Sequence, residues 1–349
     1  MDLTDIIQSY QKPFKDAYAG RVTRAQINAM DAVLDCRTER YGKMLLHCSP
    51  CHNQQSRFQS CGHRSCHRCQ NIDTTRWLER QRLKLLPVEY FMVTFTLPYE
   101  LRSLTWHHQK TLYSILFQSA VSTLKDFGIN DKKLSADIAM TAVLHTHSRR
   151  LEYHPHVHII VPGGCLNQQR RQWRKLRGKY LFNAFSLAKV FRARFLDALR
   201  HAGFTLPDNI PKNWVVDCQH IGKGLPALKY LSRYLYRGVI SEKNIIHDNG
   251  THVTFRYRDS ETGTWKTRRV TGEQFLWLIF QHVLPKGFRR VRDYGFLHGN
   301  AKKTLQLIQW LLKVIIDIPK PTHRPSFKCT QCGEPMTIVG FIPPAWRAG

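Results

Sequence analysis

The sequence lacks the features of membrane-spanning and secreted proteins. It contains no run of about 18 apolar residues, the length that a helix needs to cross a bilayer. Its first ten residues include Asp2 and Asp5 and lack the basic segment and apolar core of a signal peptide. No internal repeat or low-complexity tract is present in the 349 residues. We therefore expect a folded protein of the reducing cytoplasm, where cysteines bind metals more often than they form disulfides.

Acidic residues are also scarce. Lys and Arg number 53 against 25 Asp and Glu, which gives a formal net charge of +28. Such an excess destabilises a compact fold by self-repulsion unless a polyanion is usually nearby. The hydrophobic content of 42% is ordinary for a folded chain. The charge therefore favours nucleic acid as a partner over the alternative of a merely soluble basic protein.

Short apolar strands separated by helical segments predict an α+β fold with an antiparallel sheet. The predicted strands cover residues 90–97, 136–146, 153–161 and 214–218, with a hairpin at 251–270. The predicted helices cover residues 1–35, 73–86, 107–127, 186–201, 226–237 and 272–283.

Changes in composition divide the chain into three predicted domains. Residues 1–86 form a small helical, cysteine-rich domain, residues 87–285 hold the sheet, and residues 286–349 form a basic tail. A basic insertion is expected within the central domain around residues 165–213. Its Arg170 and Arg171 are candidate DNA contacts.

Cysteines concentrate in the N-terminal domain. Cys48-x-x-Cys51 and Cys66-x-x-Cys69 are two metal-binding knuckles, and together they offer four thiolates, the number that tetrahedral Zn²⁺ takes. We therefore predict a zinc site at these four cysteines. A second zinc site is possible from the remaining residues, with Cys36, Cys61 and His63 as the main candidates beside His47 and His67.

A third knuckle, Cys329-x-x-Cys332, lies in the C-terminal tail. Two thiolates need two more ligands, and the candidates are His323 or an N-terminal cysteine. The sequence leaves the role of this knuckle and the number of zinc ions open.

Residues 154–158 read His-Pro-His-Val-His and lead into an aliphatic run. In a strand, side chains alternate faces, so His154, His156 and His158 share one face while Val157 and its aliphatic successors share the other. Two imidazoles on one strand can bind a single cation and leave room for a third ligand. His145 and His147, on the preceding predicted strand, are both candidates for it.

Two tyrosines four residues apart, Tyr230 and Tyr234, would lie on one face of a helix. They are flanked by cations that favour the phenolate, the form able to attack a phosphodiester. These cations are Lys229, Arg233 and Arg237. The alternative is an amphipathic helix with aromatic packing, which is the commoner meaning of such a pair.

Several separated motifs occur together in a fixed order. After the cysteine-rich N-terminus come Tyr90-Phe-x-Val-Thr-Phe-Thr-Leu-Pro98, Thr141-Ala-Val-Leu-His-Thr146, His154-Pro-His-Val-His158 and Leu228-x-Tyr-Leu-x-Arg-Tyr234. This set resembles the rolling-circle insertion-sequence transposases of the HUH superfamily, the two-tyrosine type with an N-terminal zinc-binding domain. The likeness extends over most of the chain.

The resemblance implies that His156 and His158, with His145 as third ligand, hold Mg²⁺ or Mn²⁺. It implies that Tyr230 and Tyr234 are the nucleophiles that cleave single-stranded DNA at the ends of the element and form a 5′-phosphotyrosine link. A bacterial protein acting at the nucleoid is the expected setting.

Two other functions compete with this interpretation. A rolling-circle replication initiator or a relaxase shares the histidine pair and the tyrosine chemistry. A zinc-dependent DNA-binding protein without catalysis requires the histidine strand and the tyrosine pair to be coincidental. The terminal and target DNA sequences, the order of the tyrosines and the oligomeric state cannot be read from the sequence.

Overall fold

The structure, a computed structural model, describes residues 2–226, 228, 239–315 and 327–344. Its α-helices, in chain order, are α1 (Leu3–Ala17), α2 (Arg24–Leu34), α3 (Gln70–Arg82), α4 (Arg102–His107), α5 (Gln109–Asn130), α6 (Ala184–His201), α7 (Gly272–Phe280) and α8 (Lys302–Leu311). Among the described residues, no helix combines the length and apolar character needed to cross a bilayer.

The strands, also in chain order, are β1 (Lys43–His47), β2 (Gln54–Phe58), β3 (Glu89–Thr96), β4 (Met140–His147), β5 (Tyr153–Pro162), β6 (Gly164–Asn167), β7 (Gln172–Lys175), β8 (Val216–Lys223), β9 (Ile245–Asp248), β10 (His252–Arg258), β11 (Trp265–Thr271), β12 (Val291–Tyr294) and β13 (Thr337–Ile342). The pairings between them are antiparallel. The predicted α+β class with an antiparallel sheet is confirmed.

The chain forms two compact units, each made of separate segments. Residues 1–74, 236–283 and 318–349 make the cysteine unit, and residues 75–235 and 284–317 make the histidine unit. The three consecutive domains expected from composition, 1–86, 87–285 and 286–349, differ from this division. The reason is long-range pairing, since β13 near the C-terminus pairs with β1 and α7 packs against α1.

The histidine unit is built on a five-stranded sheet in the order β12-β4-β5-β3-β8. Apolar side chains of β3, β4 and β5 share one hydrophobic cluster with the helices α5 and α6. Phe191 of α6 is fully buried there and contacts Phe95, Phe195 and Trp214, with ring centroids 4.8, 5.9 and 5.3 Å away. This cluster holds one face of the sheet away from water.

The region 165–213, expected as a basic insertion, contains α6 and the β6–β7 hairpin. Its helix α6 supplies core residues, because apolar side chains recur along one face of an otherwise basic helix. Within this region, the β6–β7 hairpin is the part that matches the expected basic insertion. Arg170 and Arg171 are exposed in its turn.

The cysteine unit contains two three-stranded sheets, β13-β1-β2 and β11-β10-β9. Helices α1 and α7 pack through aromatic rings, with Tyr18 stacked on Trp277 at 4.6 Å. Gly272, at the start of α7, has no room for a side chain, since a Cβ there would lie 2.0 Å from the Tyr10 ring. The Tyr10 hydroxyl donates to Asp248 at 2.6 Å, which ties α1 to β9.

We expect Phe191→Ala to lower the free energy of unfolding of the histidine unit by about 3–5 kcal/mol, since it removes a fully buried ring and leaves a cavity. Phe185→Ala is the matched control on the same helix. Phe185 is 59% exposed, so its loss should change stability by less than about 0.5 kcal/mol. Denaturant titration measures both, and equal effects would contradict the placement of α6 in the core.

Candidate active site and metal-binding clusters

Strand β5 separates an aliphatic face from a face of imidazoles. Val157, Ile159 and Val161 are fully buried in the hydrophobic cluster of the histidine unit. By alternation, His156 and His158 point to the opposite side of the sheet. The burial of the valine and isoleucine side chains therefore fixes which way the imidazoles face.

Strand β4 adds a third imidazole at the same place. Its register with β5 puts His145 directly across from His156. The ring centroids of His145 lie 5.2 Å from His156 and 4.4 Å from His158, and those of His156 and His158 are 4.9 Å apart. One ring nitrogen from each lies within 4.8 Å of the others. The three side chains, called here the histidine triad, could hold one divalent cation.

His147 lies outside this group. A register shift between His145 and His147 interrupts the β4–β5 ladder, and the two rings are 6.5 Å apart. The structure thus brings together the three histidines expected from the sequence. Their role as metal ligands stays a prediction.

Hydrogen bonds orient two rings of the triad. His156 Nδ1 donates to the backbone carbonyl of His154 at 2.6 Å, and His158 Nδ1 lies 3.0 Å from the Thr94 hydroxyl. Thr94 stands across from His158 in the β3–β5 register. Because Nδ1 is occupied in both rings, Nε2 is the atom left to bind a cation. The sequence analysis missed Thr94, whose position depends on a non-local strand pairing.

Burial keeps the triad neutral. Desolvation lowers the pKa of His156 to about 4 and that of His158 to about 3, and it holds the pKa of His145 well below its usual value. Neighbouring charges act in the same direction. The neutral imidazole is the form that binds a metal, so the chemistry of this ligand set fits a divalent cation at neutral pH.

Two guanidinium groups lie beside the triad. Arg102 contacts His154 Nδ1 at 2.5 Å, and Arg290 donates through Nε to the carbonyl of Leu144 at 3.0 Å. The positive charges of both contribute to the low pKa of His156. The Nε atom of Arg102 is buried without a hydrogen-bond partner among the described residues. Planar guanidinium donors of this kind match the geometry of phosphate oxygens.

The predicted tyrosine helix lies outside the described residues. This applies to Tyr230 and Tyr234 and to the flanking cations Lys229, Arg233 and Arg237. Their proposed contribution therefore depends on the sequence alone.

The structure corrects the expected grouping of cysteines. Cys48 and Cys51 do not meet Cys66 and Cys69. Eight cysteines instead form two groups of four. The first group is Cys36, Cys61, Cys66 and Cys69, and the second is Cys48, Cys51, Cys329 and Cys332. The cause is strand pairing, since β13 lies beside β1 and brings the C-terminal knuckle to the first N-terminal one.

In the first group, Cys69 Sγ lies 3.6 Å from Cys36 Sγ and 3.5 Å from Cys61 Sγ. A hydrogen bond from the Cys61 thiol is the largest influence on Cys66 and lowers its pKa to about 5, which favours a thiolate. Four converging sulfur atoms are the ligand set that structural zinc prefers.

None of the three spare histidines, His47, His63 and His67, joins a group of four cysteines. His63, expected in a second zinc site, accepts a hydrogen bond from the backbone N–H of Ser65 through Nδ1 at 3.1 Å. His67 Nε2 lies 3.0 Å from a carboxylate oxygen of Glu242. The other proposed partner of the third knuckle, His323, lies outside the described residues.

Comparison with known families matches both parts of the chain. A family model described as "Putative transposase" (Y2_Tnp) matches residues 139–304, and a "Transposase zinc-binding domain" model (Zn_Tnp_IS91) matches residues 6–97. The "Putative transposase y4qJ" of Sinorhizobium fredii (strain NBRC 101917 / NGR234) is 31% identical over 350 residues, which cover 93% of this chain and 87% of that protein. The chain belongs to the IS91-type transposase family.

A second relative of this IS91-type transposase is the transposase for insertion sequence element IS801 from Pseudomonas savastanoi pv. phaseolicola. It is 25% identical over 367 residues, which cover 93% of this chain and 85% of that protein. Among solved structures, TrwC complexed with a 27-mer DNA matches at 14% identity and covers 64% of this chain and 74% of that one. Its TM-score of 0.29 is too low to support a conclusion.

The zinc-binding model of the IS91-type transposases includes the whole of the first cysteine group. The family and the four thiols together support Zn²⁺ as a component of this protein. The same model stops before Cys329 and Cys332.

In this IS91-type transposase, we expect Thr94→Val to weaken Mn²⁺ binding by about 10-fold or more, because it removes the hydroxyl that orients His158. Thr123→Val is the control, since Thr123 is a buried threonine of α5 whose hydroxyl donates to the carbonyl of Ser119, in another element. Titration of zinc-loaded protein with Mn²⁺ gives both affinities. An unchanged affinity in Thr94→Val would contradict an orienting role.

Proposed function

We propose that this chain cleaves and rejoins single-stranded DNA during rolling-circle transposition. The observation that supports this most strongly is the convergence of three neutral imidazoles, two buried and one half-buried, in a member of the IS91-type transposase family. A family of this kind needs a group that activates a phosphodiester. The histidine triad is the site in the described residues best suited to that task.

The triad would act through Nε2 of His156 and His158 together with a ring nitrogen of His145. A divalent cation held there would polarise a phosphoryl oxygen and would stabilise the charge of the transition state. Imidazole nitrogen is a softer ligand than the oxygens that Mg²⁺ prefers, so Mn²⁺ should support activity at lower concentrations than Mg²⁺.

Tyr230 or Tyr234 supplies the nucleophile in this proposal. The phenolate oxygen attacks phosphorus, a new P–O bond forms to the tyrosine, and the bond to the 3′ oxygen breaks. The leaving 3′ oxygen takes up a proton, and the DNA keeps its 5′ phosphate on the protein. The phosphotyrosine bond is a phosphodiester, so attack by another 3′ hydroxyl can rejoin the strand without added energy.

Two tyrosines permit two successive transfers. One holds the 5′ end released in the first cleavage, and the other is available for a second cleavage or for transfer to a target strand. Lys229, Arg233 and Arg237 flank them in sequence and favour the phenolate through their positive charge.

The DNA is held by positive charge in this proposal. Arg102 and Arg290 lie beside the triad and would contact phosphates near the scissile bond. Arg170 and Arg171 are exposed at the tip of the β6–β7 hairpin and offer a further contact. The net charge of +28 makes such binding strongly dependent on salt, because each phosphate contact releases counterions.

The test is covalent capture of a labelled single-stranded oligonucleotide that carries the end of the element, with Mn²⁺ present. We expect each of the single variants Tyr230→Phe and Tyr234→Phe to reduce the amount of adduct, since phenylalanine lacks the attacking oxygen. The double variant should abolish it. His156→Ala should lower the rate by about 100-fold or more, through loss of charge stabilisation at the phosphate. Mass mapping of the DNA-linked peptide names the nucleophile.

Tyr236→Phe is the matched control, because Tyr236 is in the same segment and a helix would place it off the face shared by Tyr230 and Tyr234. It should form the adduct at the wild-type level. An adduct that persists in the double tyrosine variant would overturn the assignment of the nucleophile. DNA binding with no metal-dependent adduct under any condition would instead favour a non-catalytic zinc protein.

A further inference from the structure

The second cysteine group takes its ligands from distant parts of the chain. Cys48 Sγ lies 3.4 Å from Cys332 Sγ, across 284 residues of sequence. Cys51 Sγ lies 3.5 Å from Cys329 Sγ, across 278 residues. Nothing in the zinc-binding family model, which ends at residue 97, accounts for the C-terminal pair.

The distances fit a metal and not disulfides. A disulfide needs sulfur atoms about 2.05 Å apart. Zinc–sulfur bonds of about 2.3 Å in a tetrahedron place the sulfur atoms about 3.8 Å apart. All four sulfur atoms lie within 4.8 Å of one another, and the closest pairs are at 3.4 and 3.5 Å. The group is therefore arranged as a compact tetrathiolate.

Hydrogen bonds prepare the C-terminal knuckle for a metal. Cys329 Sγ accepts from the Asn53 side-chain amide at 3.4 Å and from the backbone N–H of Gln331 at 3.4 Å. Such donors stabilise a thiolate and orient it toward the cation. Asn53 is in the N-terminal knuckle loop, so the contact also crosses between the two segments.

The surrounding fold is too small to explain the arrangement without a metal. The sheet β13-β1-β2 has short strands, and the buried cluster beneath it consists of Leu46, Cys48, Cys329 and Met336. Most of β13 is exposed, and its apolar Val339 and Phe341 are more than 60% accessible. A core of this size contributes little stability, and small modules of this kind use a structural zinc instead.

We propose that Cys48, Cys51, Cys329 and Cys332 bind a second Zn²⁺, separate from the one at Cys36, Cys61, Cys66 and Cys69, and that it fastens residues 327–344 to the β1–β2 hairpin. β1 also pairs with β13 through the backbone, and the Gln55 side-chain amide donates a hydrogen bond to the Thr330 hydroxyl at 2.6 Å. These contacts connect the same two remote segments. This inference does not depend on the proposed catalysis.

The test is the zinc content of the full-length protein, measured by native mass spectrometry. The wild type should carry two ions. Cys329→Ser/Cys332→Ser and Cys48→Ser/Cys51→Ser should each carry one. Combining all four substitutions should still leave one ion, because both pairs belong to the same site.

Cys218→Ser is the control, since Cys218 lies in β8 outside both groups, and it should retain two ions. If the N-terminal knuckles shared one site, Cys329→Ser/Cys332→Ser would keep the wild-type zinc content. That result, or a wild type with a single ion, would overturn the proposal.

A conservative change guards against general misfolding. Cys332 is exposed, so its substitution leaves the buried cluster intact. Cys332→His, which keeps a zinc ligand, should retain two ions, whereas Cys332→Ser should lose one. Trypsin cleavage after Lys328 should accelerate only in the serine variant. If both Cys332→His and Cys332→Ser retained two ions, Cys332 would not be a zinc ligand.

Discussion

The candidate active site depends on the two faces of β5. One face is fixed by burial of valine and isoleucine against α5 and α6, and the other carries the imidazoles. A shift of the β5 side chains by one residue would move the aliphatic residues to the imidazole face and the histidines into the apolar core against α5 and α6. Because burial of several aliphatic side chains is worth many kcal/mol, the core determines where the metal ligands point.

Neighbouring strands turn this orientation into a site. β4 places His145 across from His156, and β3 places Thr94 beside His158. Burial keeps the imidazoles neutral, and two arginines place positive charge beside them. Rigid strands, and not loops, carry the candidate ligands, which favours the defined geometry that phosphoryl chemistry needs.

The sequence predicted this site better than it predicted the cysteine clusters, for a physical reason. The period of β5 is local, and the short loop before it makes β4 its antiparallel partner, so His145 and His147 could both be named as candidates. The resemblance to the family then selected His145. Thr94 could not, since its partner lies 64 residues away. The prediction of which cysteines group together was wrong, because eight thiols allow many groupings and the observed one depends on the pairing of β1 with β13. The two compact units likewise combine segments that are far apart in the chain, which changes in composition along the chain do not reveal.

We propose that the histidine triad holds a divalent cation in contact with a DNA phosphate. Pulsed electron paramagnetic resonance of bound Mn²⁺ detects both contacts, in protein with ¹⁵N-labelled histidine and with single-stranded oligonucleotide added. We expect couplings to three imidazole nitrogens, one from each member of the triad, and a phosphorus coupling that appears with the DNA. A bound Mn²⁺ that shows only water couplings, or nitrogen couplings that survive in His156→Ala unchanged, would contradict it.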